Sequence, residues 1–179
     1  ESAGPHARLL PEAQRGSPGR FQRARSSMGL FVWYFGTKRR YPAVDHHTIL
    51  LGPRYRGLLA DIFDRKVLAE DASLYLHRPT ATDPSLAPPG CDAFYVLAPV
   101  PHLAGGQDWQ TLAEPYRRRI AATLEASLIP RLYDARVTST VTTPLGPPAD
   151  LSIYPTAAFR LDHVPAQSAS IGPAHPVCY

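Results

Sequence analysis

Leu30-Phe31-Val32-Trp33-Tyr34-Phe35-Gly36 is the stretch that decides the fold. Large apolar and aromatic side chains run without a break to a glycine, and Lys38, Arg39 and Arg40 follow. A run this short, rich in aromatic and β-branched residues, reads as a strand with two apolar faces. One face joins a core. The other must meet a second layer or an apolar ligand. Outward from it, His47-Thr48-Ile49-Leu50-Leu51-Gly52 reads as a second strand ended by Gly52-Pro53, and a hairpin between the two is expected.

Arg54 to Asp64 carries Leu58, Leu59, Ile62 and Phe63 in the pattern of a short amphipathic helix. Ala72 to Arg78 alternates, placing Leu74 and Leu76 on one face and Tyr75 and His77 on the other. Thr80 to Asp92 is turn-rich, with Asp83 as an Asx-turn former. Ala93 to Ala98 reads as a further buried strand, ended by Pro99 and Pro101. The clearest helix starts at Pro115, which suits a first helical position. Its inner face is Tyr116, Ile120, Leu124 and Leu128, and Arg117, Arg118 and Arg119 take the wet side. Arg136 to Thr142 alternates as a last strand. Two strands, a helix, two strands, a helix and a strand predict an α+β fold: a mixed or mostly antiparallel sheet with helices on one face.

The ends differ in composition. Residues 1–25 are polar and interrupted by Gly and Pro, as expected of a loosely ordered arm. Residues 26–143 carry the periodic segments of one domain, and 144–179 form a Pro-rich irregular segment. With 20 prolines in 179 residues, long helices are expected only where prolines thin out. No apolar run is long enough for a transmembrane helix, and no secretory h-region is present. Two distant cysteines, Cys91 and Cys178, give neither a disulfide framework nor a metal set and suit a reducing cytoplasm. The net charge of +4 comes from dispersed arginines. Without a basic stripe or a recognisable module, nucleic acid is not an expected partner. An anionic membrane surface is the better functional use of that charge, beside plain solubility.

Familiar catalytic signatures are missing. There is no G-x-G-x-x-G, Walker loop, G-x-S-x-G or H-E-x-x-H. Gly105-Gly106 reads as a turn. His46-His47 invites a metal reading, but neighbours on a strand point to opposite faces, which favours a plain strand-edge pair. Asp61, Asp64, Glu70 and Asp71, flanked by Arg65 and Lys66, read as a solvated rim. The aromatics exceed what a sheet needs. They fit a well-filled core or an elongated apolar channel, and periodicity does not separate the two.

Several longer strings carry a resemblance. They are Ser27-Met28-Gly29-Leu30-Phe31-Val32-Trp33-Tyr34-Phe35-Gly36, His46-His47-Thr48-Ile49-Leu50-Leu51-Gly52-Pro53-Arg54-Tyr55-Arg56 and Ser73-Leu74-Tyr75-Leu76-His77-Arg78-Pro79. Thr82-Asp83-Pro84-Ser85-Leu86-Ala87-Pro88-Pro89-Gly90-Cys91 and Tyr95-Val96-Leu97-Ala98-Pro99-Val100-Pro101-His102-Leu103 join them. Together they resemble the CrtI-type bacterial phytoene desaturases. The resemblance implies an FAD-dependent oxidoreductase of the amine-oxidase-like group. Such an enzyme draws hydrogens from phytoene or a related carotenoid while attached peripherally to a membrane on the cytoplasmic side.

It further implies that this chain is a truncated, substrate-binding part of such an enzyme. Phe31, Trp33, Phe35, Tyr75 and Phe94 would line a polyene channel, or the opposite-face pair Val32 and Tyr34 would do so. The family's glycine-rich flavin loop and its closing G-A-G-T-H-P-G-A-G segment have no counterpart in the sequence, so no FAD binding is expected of this chain alone. Thr156 and Arg160 stand where the family has glycines, Asp162-His163 replaces Glu-Pro, and Ser170 and Gly172 replace a tryptophan and an arginine. A non-catalytic carotenoid-binding module and a non-functional truncated product are the rival expectations.

Overall fold

The computed structural model describes residues 27–146. The arm expected over 1–25 and nearly all of the Pro-rich segment lie outside the described residues. Five strands form one sheet: β1 (Gly29–Thr37), β2 (His47–Leu50), β3 (Leu74–His77), β4 (Asp92–Val100) and β5 (Arg136–Thr142). Their order across the sheet is β2-β3-β4-β1-β5, and every neighbouring pair is antiparallel. The α+β class read from the sequence holds.

The expected hairpin between β1 and β2 does not form. β1 pairs with β4 in register from Gly29↔Val100 to Thr37↔Asp92, and its other side pairs with β5. Length and burial explain the choice. Two nine-residue strands pair along their whole length, and a strand apolar on both faces belongs inside a sheet. The four-residue β2, with Ile49 68% exposed, suits an edge. Gly36 sits where the β1–β5 register shifts, and a Cβ there would come within 2.9 Å of the Thr138 methyl. Only glycine permits that close approach without a shift.

Among the described residues three α-helices accompany the sheet: α1 (Tyr55–Ala60), α2 (Trp109–Ser127) and α3 (Leu132–Ala135). A π-helical turn, Asp61–Arg65, continues α1. α2 begins six residues before the expected Pro115, which lies inside it. Asp108 caps it, its Oδ1 accepting from the Gln110 N–H at 3.0 Å and its Oδ2 from the Thr111 hydroxyl at 2.9 Å. The cap and the burial of Trp109 outweigh the single backbone bond that Pro115 removes.

The core lies between α2 and one face of the sheet. Phe31, Trp33, Phe35, Leu74, Leu76, Phe94, Val96, Ala98 and Val100 pack with Trp109, Tyr116, Ile120, Ala121 and Leu124. Phe31 meets Tyr116 edge-on at 5.0 Å, and Phe35 stacks on Phe94 at 5.1 Å. Burial pushes the Tyr116 phenol above its ordinary range. A smaller cluster of Leu58, Ile62 and Ala69 with Met28 and Phe63 anchors α1 and the turn after it.

Arg117 departs from the expected wet side and is buried. Its guanidinium grips Glu114 through two 2.7 Å bonds and lies 5.3 Å from the centre of the Trp33 ring. An aromatic face and a bidentate carboxylate together make burial of an arginine tolerable.

Candidate functional site

Strand alternation gives the sheet a second face that contributes nothing to either core cluster. Two cross-strand rows define it. One runs Ile49, Tyr75, Leu97, Val32, Thr142 and the other His47, His77, Tyr95, Tyr34, Thr140. Tyr34 is 49% exposed, and Val32, Tyr75, His77, Tyr95 and Leu97 are half-buried. Their rings touch in a chain: Tyr34 to Tyr95 at 5.7 Å, Tyr95 to Tyr75 at 6.0 Å, and Tyr95 to His77 at 4.5 Å. Burial, reinforced by the Tyr75 hydroxyl, pushes the Tyr95 phenol up, so its hydroxyl stays neutral through ordinary pH.

The residues expected to line a channel divide between the two faces. Phe31, Trp33, Phe35 and Phe94 are filled over by their own core and α2. They form no slot, because side chains from helix and sheet already make the contacts a ligand would make. Tyr75 lies on the open face, as do Val32 and Tyr34, the alternative pair. On the helix side, a cleft of about 210 Å³ lies between the end of β2 and α2, lined by Leu50, Leu74, Tyr116 and Ile120 among others.

At the β2–β3 end of the open face, three histidines converge. The expectation that His46 and His47 point apart fails, because His46 lies in a bend before β2 and does not follow strand alternation. One ring nitrogen from each of His46, His47 and His77 lies within 4.8 Å of the others. His46 Nε2 is 2.6 Å from His77 Nε2, His46 Nδ1 meets the Thr82 hydroxyl, and His47 Nδ1 is 2.6 Å from the Tyr75 hydroxyl. Burial, and then the neighbouring His46 and His47, hold His77 below the usual imidazole range. Alternation had already put Tyr75 and His77 on one face. The β2–β3 register was the missing information.

Sequence reading also passed over Asp92, which is 1% exposed. Its carboxylate accepts from the Tyr41 N–H at 2.7 Å, the Thr80 hydroxyl at 2.7 Å and Arg78 Nη1 at 3.2 Å, tying the loops at one end of the sheet. In the acidic group near α1, Asp64 and Glu70 are exposed as expected, and Asp61 and Asp71 are less solvated. Asp61 is buried between Arg54 and Arg65, and Arg54 also binds Asp71. The Asp61 and Asp71 carboxylates are committed to ion pairs. Asp83 forms its expected turn, Oδ1 accepting from the Ser85 N–H at 3.0 Å.

The geometry defines an antiparallel sheet sealed by a helix on one face and offering an aromatic, apolar surface on the other. The chain is 58% identical over 109 residues to the neurosporene-forming phytoene desaturase of Cereibacter sphaeroides, a match covering 58% of this chain and 21% of that protein. It is 45% identical over 155 residues to the lycopene-forming phytoene desaturase of Pantoea ananas, covering 86% of this chain and 32% of that one. The zeta-carotene-forming phytoene desaturase of Myxococcus xanthus is 41% identical over 113 residues. No family model matches. Over the matched residues the chain is a homologue of phytoene desaturases, and it spans between a fifth and a third of the length of the relatives it matches.

Proposed function

We propose that this chain supplies the polyene-facing layer of a carotenoid desaturase. In this reading the open face of the sheet, through Val32, Tyr34, Tyr75, Tyr95 and Leu97, lies along phytoene or a related long hydrocarbon. The observation that carries it is the pair of apolar and aromatic rows left outside the core on a strand that is greasy on both faces. A hydrocarbon offers no hydrogen bonds, so a surface of ring faces and aliphatic ends suits it. Affinity would come from buried apolar area at roughly 25 cal/mol per Å².

FAD would supply the oxidising chemistry by accepting hydride from the substrate. The described residues do not fit a flavin cradle. A pyrophosphate seeks free N–H groups at a helix N-terminus. The glycine pair Gly105-Gly106 leads into α2, where the Gln110 N–H is already taken by the Asp108 carboxylate and the Trp109 N–H by the Gln107 carbonyl. A second anion there would be repelled. Flavin binding therefore belongs, in this reading, to sequence other than residues 27–146.

Peripheral attachment on the cytoplasmic side of a membrane is part of the proposal, because the substrate dissolves in lipid. Among the described residues no helix is long and apolar enough to cross a membrane. The test is saturable retention of phytoene by the purified chain in detergent. Tyr34→Asp and Leu97→Asp should each weaken it about tenfold, since a carboxylate on this surface must be desolvated against hydrocarbon. Tyr34 is the more exposed, so its variant should melt like the parent. Unchanged retention in a folded Tyr34→Asp variant, or no retention by the parent chain, overturns the reading.

A further inference from the structure

We propose that His46, His47 and His77 form a binding site for a divalent transition metal of the zinc type, clamping the edge strand β2 and the Thr82 turn to β3. The site stands on geometry independent of the polyene reading. Three imidazoles from two segments bring one nitrogen each within 4.8 Å of one another. An ion bound by histidine nitrogens at about 2.0–2.1 Å in tetrahedral geometry holds them about 3.3 Å apart. The His46–His77 pair, at 2.6 Å, need open by well under 1 Å to admit it, a shift within the reach of side-chain torsions on half-buried residues.

The surroundings match what metal-binding histidines require. Such a ring usually coordinates through one nitrogen while the other is fixed by an oxygen. The Thr82 hydroxyl holds His46 at Nδ1 and the Tyr75 hydroxyl holds His47 at Nδ1, which turns both Nε2 atoms away from those oxygens. His77 Nδ1 is buried with no hydrogen-bond partner, and the contact of its Nε2 is with His46 Nε2, a second member of the same cluster. An imidazole coordinates a metal through a ring nitrogen lone pair, and the three rings bring one such nitrogen each to a common point. A ligand set of nitrogens alone favours zinc, copper or nickel over calcium or magnesium. His47 is exposed, which leaves a fourth position open to water.

The experiment is calorimetric titration of the chelator-stripped chain with Zn²⁺, paralleled by the visible spectrum of the Co²⁺ form. One equivalent should bind at micromolar affinity or tighter, with the intense visible bands of tetrahedral Co²⁺. His47→Ala and His77→Gln should each remove that equivalent. Tyr75→Phe should weaken it roughly 10- to 100-fold by releasing the His47 ring. His102→Ala, whose Nδ1 accepts from the Ala104 N–H instead, should leave it intact. His77 is half-buried and its replacement also perturbs packing, so the exposed His47→Ala decides. Failure of the parent chain to bind Zn²⁺, or binding unchanged in His47→Ala, overturns the site.

Discussion

Both faces of the sheet carry aromatic and aliphatic side chains, yet they differ in what fills the space above them. On the covered face, Phe31, Trp33, Phe35 and Phe94 meet α2 and reach native packing. On the open face, Val32, Tyr34, Tyr95 and Leu97 touch chiefly one another across the strands. The difference teaches that aromatic density does not locate a ligand surface. The residues that look most ligand-like in the sequence, including Trp33, are those the fold uses to hold itself together. The ones left over are candidates for recognition.

That contrast breaks most directly at neighbouring positions of β1. Trp33→Ala removes a fully buried ring, its 2.8 Å bond to the Ser139 hydroxyl and its contact with Arg117, and should cost about 4 kcal/mol in denaturant unfolding. Tyr34→Ala, one residue on, should cost less than about 1 kcal/mol. Equal losses would mean that both faces are core.

Asp92 sharpens the comparison by asking whether charge as well as hydrocarbon secures the covered side. Asp92→Ala leaves the buried Arg78 without its carboxylate and should cost about 3 kcal/mol, read as a lowered denaturation midpoint. A midpoint within error of the parent would show that solvent reaches this network.

The smallest effect is expected in acid. The Arg117 guanidinium, with Arg118, pulls Glu114 down to about 2. A carboxyl whose folded value is depressed stabilises the fold above its unfolded value, and that contribution is lost as pH falls toward the folded one. The parent should therefore lose more stability than Glu114→Gln between pH 5 and 2. The gap should be slight, because Glu114 is about half exposed and screened by solvent. Identical acid profiles would show that the pair does nothing for the seal over Trp33.

Much of the architecture was legible in the sequence because it rests on local period. All five strands and the two larger helices follow from alternation, fourfold spacing and proline punctuation. Apart from the bend at His46, the errors share a cause: each needed a long-range partner. Pairing of β1 with β4 rather than β2 is decided by matched length across about sixty residues. Burial of Arg117 depends on Trp33 and Glu114, and the start of α2 depends on where Trp109 finds a core. The histidine cluster was hidden for the same reason, since adjacency in sequence says nothing about a third ring brought in by β3.

By itself the sequence determined that β1 is a strand with two apolar faces in an α+β chain, because side-chain size and period are properties of the residues alone. Tertiary structure decided which face is core and which is open, and which histidines meet. Those outcomes depend on where α2 packs and on the register of β2 against β3, both set by contacts between segments far apart in the chain.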